Sequence, residues 1–556
     1  MAWNIEWKQP HKKKYCSLKN TYRVDGKVKT DYIYLGQEEV ATKILADLAV
    51  KELIDEEDIT YSGEMILEKI TDSLSFEDIL TNYTEDERAS RALKNVIILM
   101  TLFNESKRRL FLQRLNKSTF RNSTDIKYLE EVYEFMDMVC KHLGDILYDL
   151  LKNAIEKYKI GLDYLIVDAT RFKIYKDEET GLIRFGYSAQ KQKNLPQVNI
   201  VLGVNEQQIP FFVSTHPGNR SDIEMFDNFL KTLRSKYSIL NNKVYHKIII
   251  MDQGNVSKKT IRYLRWLVRY GFHFITMVRS NSIGRFTKNL NKSDMKLIYS
   301  KEITKNRETR VYGKLIETKV YGRVSRVLVS YNPDVEHTKN KSLDRKIEIV
   351  KQKVQSLNKN GGSLDSRCSE VNSLIAKHSF KRAMKVTKNE AENEIKLEVD
   401  EKDLDGRRKK FGFFALFTHS DLAPTEIIKI YKSRDTVEKG FLELNTDFSV
   451  CPIRHSKDRR IETHTIFTIY GYFFVSLLRA ILKAKGVDYS FRELLYTIKS
   501  GRSVIGYYEH EVFKDKRLYV DRPIKMNDEL AQIFRILKIK MLRYDLKLEP
   551  YTYSLK

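Results

Sequence analysis

At 556 residues with 42% hydrophobic side chains, the chain is too long for one simple domain and too apolar to be disordered. Its 99 Lys and Arg against 74 Asp and Glu give a net charge of +25. That excess, spread along the sequence, reads either as a Lys-rich solvated surface or as the lining of a long groove for a polyanion, since Lys and Arg gain affinity by displacing condensed counterions. Cys16, Cys140, Cys368 and Cys451 form no Cys-x-x-Cys and no Cys/His grouping, which excludes a zinc pattern and a disulfide framework and fits a reducing interior.

MAWNIEWKQPHKKK lacks an apolar signal-peptide core, so secretion is not expected. Residues 11–36 alternate about Asp25-Gly26 and predict a β-hairpin with a basic exposed side. From Glu38 to about Lys159 the period becomes helical, as in ATKILADLAVKELI and ERASRALKNVIILMTLF. LDYLIVDAT, RFGYSAQ, QVNIVLGVN and QIPFFVSTHPGN then read as successive strands. Helix DIEMFDNFLKTLRSKY, strand KIIIMDQ, helix SKKTIRYLRWLVRYG and strand FHFITMVRS follow. This order predicts a mixed α/β fold with helices on both faces of one sheet. Residues 285–405, with TRVYGKLIETKVYG, VSRVLVSYN and the helical SLDRKIEIVKQKVQSLNKN, read as a β-rich insertion. Strand FGFFALFTHS resumes the sheet, helix TEIIKIYKSRDTVEKGFLELN follows, and RRIETHTIFTIYGYFFVSLLRAILKAKG is an apolar helix suited to packing on it. Short for a membrane span and holding Arg479, that helix is expected in a soluble core. The expected domains are 1–160 (hairpin and helices, DNA binding), 161–284 and 406–490 (two parts of the mixed-sheet core), 285–405 (insertion) and 491–556 (basic C-terminal region).

Three acids stand out. Asp168 closes the apolar run Tyr-Leu-Ile-Val, and Asp252 closes Ile-Ile-Ile-Met. A carboxylate at a strand's C-terminal edge is fixed in place yet open to a crevice. Glu438 follows Tyr431 and Arg434 at i, i+3 and i+7, which predicts one shared helix face. Singly, each has an ordinary alternative: Asp168 and Asp252 as turn or cap residues, Glu438 as a solvated helix glutamate. Together, two strand ends and a helix carboxylate can hold a pair of divalent cations for phosphoryl transfer. Lys258, Lys259 and Arg262, with Arg265 and Arg269, lie on one basic helix, read either as a DNA contact or as an amphipathic surface. His464 reads as a packing histidine, His216 as a turn residue and Asp222 as a helix N-cap.

In this order the segments resemble the DDE transposases of prokaryotic insertion sequences. The similar branch has a β-strand insertion and a Tyr-x2-Arg-x3-Glu-x6-Lys signature. The resemblance runs from about residue 20 to 485. It is carried by YRVDGKVKTDYIYLG, IVDATRF, GYSAQKQKNLPQVNIVLGVNEQQIPFFVSTHPGNRSD, IIIMDQGNVSKKTIRYLRWLVRYGFHFITMVR, YKSRDTVEKGF and RRIETH. The signature's lysine falls on Asn445, and an Arg-Pro before the downstream histidine reads Cys451-Pro452. The resemblance implies a ribonuclease-H-like core, with Asp168, Asp252 and Glu438 as catalytic metal ligands. It implies two divalent cations (magnesium expected, manganese an alternative), and phosphate contacts from Tyr431 and Arg434. The implied partners are double-stranded DNA of terminal inverted repeats and target, and a second copy of the chain on DNA. The implied location is the cytoplasm, at the nucleoid, with no membrane. A metal-dependent nuclease without strand transfer, or an inactive terminal-repeat-binding protein, are the alternatives.

Overall fold

The structure is a computed structural model. It describes every residue except 1–2, 11, 25–26, 51–53, 61, 104, 121–122, 175–177, 187–195, 238–246, 253, 255, 280–281, 289, 305–306, 449–452, 454, 456, 515, 524–525, 541–544 and 551–556. The chain forms two compact units. One comprises Met1–Gly161, Ala169–Arg220 and Val437–Lys556; the other comprises Leu162–Asp168 and Ser221–Thr436.

The large sheet has nine strands: β1 (Tyr164–Lys173), β2 (Gln197–Val204), β3 (Pro210–Pro217), β4 (Lys247–Met251), β5 (Phe272–Met277), β6 (Lys296–Thr304), β7 (Arg307–Val320), β8 (Arg323–Tyr331) and β9 (Phe413–Thr418). Hydrogen-bonded neighbours run β6-β7-β8-β9-β5-β4-β1-β2-β3. β4 pairs in parallel with β1 and β5, while β2–β3 and β5–β9 are antiparallel. The order β3-β2-β1-β4-β5 is a mixed sheet, as the succession of strands and helices predicts, and it is the ribonuclease-H-like arrangement that the family resemblance implies. β4 is Lys-Ile-Ile-Ile-Met with its last four side chains buried, as expected for a parallel strand covered on both faces.

β6, β7 and β8 extend this sheet through β9, so the strands after residue 295 continue the core sheet. Beyond them, α3 (Pro333–Asn360) and α4 (Leu364–Lys377) pack with a two-stranded hairpin around their own core, including Val350, Val371, Phe380 and Ile395. Two earlier helices, α1 (Asp222–Tyr237) and α2 (Lys258–Leu267), follow β3 and β4. Ser221, exchanging hydrogen bonds with Glu224, caps α1, and Asp222 is its first residue rather than its cap.

In the other unit, Tyr15–Val24 pairs with Lys27–Gln37 in the expected hairpin, and Trp3–Lys8 adds a third strand that the sequence reading omitted. The turn Asp25-Gly26 and the segment 187–195 of the expected GYSAQKQKNLPQ strand lie outside the described residues. Strand Ile54–Thr60 joins a four-stranded sheet with Arg502–Tyr508, Lys516–Pro523 and Asp545–Pro550.

The helix α7 (Asp458–Lys483), which follows α5 (Pro424–Lys432) and α6 (Asp435–Thr446), has an apolar window that is 83% buried inside the protein. The sequence predicts that α7 packs on the sheet. It does touch β3, but it is chiefly sheathed by N-terminal helices. Phe474 meets Phe76 edge-on with centroids 5.1 Å apart, and the Tyr470 hydroxyl donates to the Leu143 carbonyl at 2.6 Å. Gly471 lies against Thr101 so closely that a Cβ would overlap it. Gly471→Val therefore overpacks this interface and lowers stability by about 1–3 kcal/mol in a thermal melt. Gly144→Ala, at a helical position where a Cβ meets nothing within 4 Å, leaves stability unchanged or slightly raised.

Candidate active site

Asp168 and Asp252 owe their placement to one strand pairing. Tyr164, Leu165 and Ile166 of β1 sit beside Ile248, Ile249 and Ile250 of β4. Asp168 lies two residues past Ile166 on β1, and Asp252 lies two residues past Ile250 of β4, so each acid follows the paired segments by the same number of residues. Asp252 directly follows β4, as expected, whereas Asp168 is not a strand end, because β1 continues to Lys173. β4 stops at Met251 while β1 goes on beside β2, so Asp168 stands where one neighbouring strand ends.

Arg434 reaches Asp252. Its Nη1 lies 2.7 Å from Asp252 Oδ1, with side chains 20% and 36% exposed. The expected single helix through Tyr431, Arg434 and Glu438 is two helices, α5 and α6, broken at Ser433-Arg434. The Ser433 hydroxyl donates back to the Ile430 carbonyl at 2.6 Å, and the Arg434 N–H donates to the Tyr431 carbonyl at 3.1 Å, tightening the last turn. The shared face at i, i+3 and i+7 is therefore lost. Tyr431 is buried at 7% exposure among the apolar positions of α5, with its ring 5.9 Å from the Arg434 guanidinium carbon. It supports Arg434 instead of presenting an open surface to phosphate.

Glu438 lies on α6, whose buried face is Val437, Gly440, Phe441 and Leu444. Glu438 is exposed, and Asn445, two turns on, shares its outward stripe with the 60% exposed Leu442. Among the described residues, no three His, Cys, Asp or Glu side chains converge as a ready-made cation site.

The basic helix α2 starts at Ser257, whose hydroxyl accepts from the Thr260 N–H at 3.0 Å. Lys258, Lys259 and Arg262 are exposed; Lys259 pairs with Asp227 at 2.7 Å. Arg265 instead turns inward. It donates to the Val320 and Tyr321 carbonyls at 2.7 and 3.2 Å, fastening the Tyr321-Gly322 turn between β7 and β8. Two side-chain assignments also change. His216 is a buried strand residue bonded to Ser214, not a turn residue. His464, the expected packing histidine, belongs to a polar cluster: the buried Lys107 ammonium lies 2.6 Å from His464 Nδ1 and 3.2 Å from His455 Nε2.

Residues 161–474 match the transposase DDE domain family. The chain belongs to that family. No curated protein matches the sequence. Among solved structures, the cryo-EM structure of a piggyBac transposase synaptic complex with hairpin DNA is similar at a TM-score of 0.38 and 10% identity, over 79% of this chain and 78% of that one. The assignment rests on the family match alone. DDE transposases use divalent metal ions, and the carboxylates of Asp168 and Asp252 are hard oxygen donors of the kind that such an ion takes.

Burial depresses His455 to about 3, helped by the nearby Lys107 charge, and His216 to about 4; His464 is lowered in the same direction, and Lys107 falls to about 7. Each group is harder to protonate folded than unfolded, so the unfolded chain binds more protons and stability rises with pH. For His216 the window runs from about 4 to the usual 6.5, and for Lys107 from about 7 to 10.5. The urea midpoint of this transposase thus falls on going from about pH 7 to about pH 5, and His455→Gln makes that fall shallower.

Proposed function

We propose that this transposase cuts DNA at the ends of its own prokaryotic insertion sequence and joins the freed 3′-OH ends to target DNA. The observation that carries the reading is that Asp168 and Asp252 each follow the paired segments of β1 and β4 by two residues, with Arg434 on Asp252 at 2.7 Å. Glu438, outward on α6, is the third acid of the constellation. Bound there, divalent cations (magnesium expected, for an all-oxygen donor set) supply Lewis-acid polarisation and a more acidic water.

The chain's own groups do the rest. Asp168 and Asp252 offer their carboxylate oxygens just past the paired segments of a rigid sheet. Arg434 holds Asp252 until a DNA phosphate draws the planar guanidinium to itself, which frees a carboxylate oxygen as substrate arrives. Tyr431 keeps Arg434 in place through its ring. Lys258, Lys259 and Arg262 carry backbone phosphates past the site. In hydrolysis a water oxygen attacks phosphorus and the 3′-oxygen leaves; in joining, the freed 3′-OH attacks a target phosphodiester and another 3′-oxygen leaves. Both displacements ask for the same charge stabilisation, so one acidic constellation serves both. Two ends must be held at once, which calls for two copies of the chain on DNA.

A strand-transfer assay on labelled element ends with Mg²⁺ tests this reading. The unaltered chain nicks and joins; Asp168→Asn, Asp252→Asn and Glu438→Gln each lose at least about a hundredfold of both products while retaining DNA binding. Nicking without joining would make the chain a nuclease, and binding without either would make it a terminal-repeat-binding protein. Changing Lys258, Lys259 and Arg262 together to Ala weakens binding on all sequences and reduces the slope of log K against log salt by about 2.7.

A further inference from the structure

The three-stranded N-terminal sheet has two faces of different chemistry. Cys16, Leu18, Ile33 and Leu35 point inward and pack with Ala41 and Ile44 of the following helix and with Tyr508, Phe513 and Leu518. Strand alternation then sends Tyr15, Ser17, Lys19 and Thr21 of one strand, and Val28, Thr30, Tyr32 and Tyr34 of the next, to the outside. Across the ribbon Lys19 faces Tyr32, Thr21 faces Thr30, and Ser17 faces Tyr34. Val28, Tyr32 and Tyr34 are 61%, 50% and 49% exposed, an unusual load of large side chains for a solvated sheet face.

Cations gather on the same face. Lys8 and Lys19 lie 5.4 and 5.7 Å from the centre of the Tyr32 ring, each with its ammonium 3.1 Å from Glu6. Lys12 and Lys13 are exposed in the connection between the first two strands, beside Lys14, which pairs with Glu38. The face therefore combines positive charge, hydroxyl and ammonium hydrogen-bonding groups, and apolar ring surface.

We propose that this sheet face reads duplex DNA, with the ribbon Tyr15–Val24 and Lys27–Gln37 lying in the major groove of the element's ends. The inference rests on the reading above that element DNA is the substrate, and it adds which surface recognises the sequence. A major groove about 12 Å wide admits a two-stranded ribbon whose strands stand about 4.8 Å apart. Lys19, Thr21 and Thr30 meet base edges, Tyr34 lays apolar ring surface and Tyr32 its ring edge on thymine methyls and sugars, and Lys8 with Lys12, Lys13 and Lys14 meets phosphates. A single strand would need open ring faces for its bases to stack on. Lys8 and Lys19 lie over the Tyr32 ring, and this favours the duplex.

The test uses the full chain, with fluorescence anisotropy on duplexes cut from the DNA flanking the coding sequence, scrambled duplexes and the matching single strands. Tyr32→Ala, Lys19→Ala and the isosteric Thr30→Val, each checked for an unchanged thermal melt, lose about tenfold or more in affinity for the flanking duplex. They lose less on the scrambled one, so specificity collapses. Unchanged affinity and specificity in all three, or a loss confined to single strands, would overturn the proposal. The two readings separate by readout: affinity for the flanking duplex in Tyr32→Ala, Lys19→Ala and Thr30→Val tests the sheet face, whether or not the unaltered chain proves able to cut and join.

Discussion

The parallel pairing of Tyr164–Ile166 with Ile248–Ile250 is the constraint on which the candidate site depends, because it fixes where the chain emerges toward Asp168 and Asp252. The paired residues are largely buried and apolar, which leaves the register little freedom to slip. Arg434 neutralises Asp252 through their 2.7 Å contact, and the break between α5 and α6 is what delivers it there. Sheet pairing, helix break and guanidinium thus act together at Asp252.

Much of the fold was legible because its signals are short-range. The continuous apolar runs before Asp168 and Asp252 mark strands covered on both faces, and their order with the intervening helices prescribes the mixed sheet. Helix α7 was legible as a core helix from its length, its apolar character and the arginine it holds. Its sheath of N-terminal helices was not, since those partners, Phe76, Thr101 and Leu143, lie hundreds of residues away.

The candidate site was half legible. Asp252 after a strand and the basic face of α2 follow from pattern alone. The helix break at Ser433 carries no glycine or proline, and it depends on a hydroxyl turning back to a carbonyl, which a serine in a helical pattern does not announce. Arg265 has the same spacing as its exposed neighbours yet turns inward, because the β7–β8 turn offers two carbonyls that a sequence cannot place. Lys107, His455 and His464 come together across 348 and 357 residues, beyond the reach of any local motif.

The central claim is that Asp168 and Asp252 together seat a cation. Fe²⁺ in place of magnesium, with ascorbate and peroxide, generates radicals that cut the nearest backbone, so the cleaved fragments map the seat directly. The account predicts cuts next to residues 168 and 252, lost together in Asp168→Asn and in Asp252→Asn. Cuts confined to other segments, or an unchanged pattern in both variants, would contradict it.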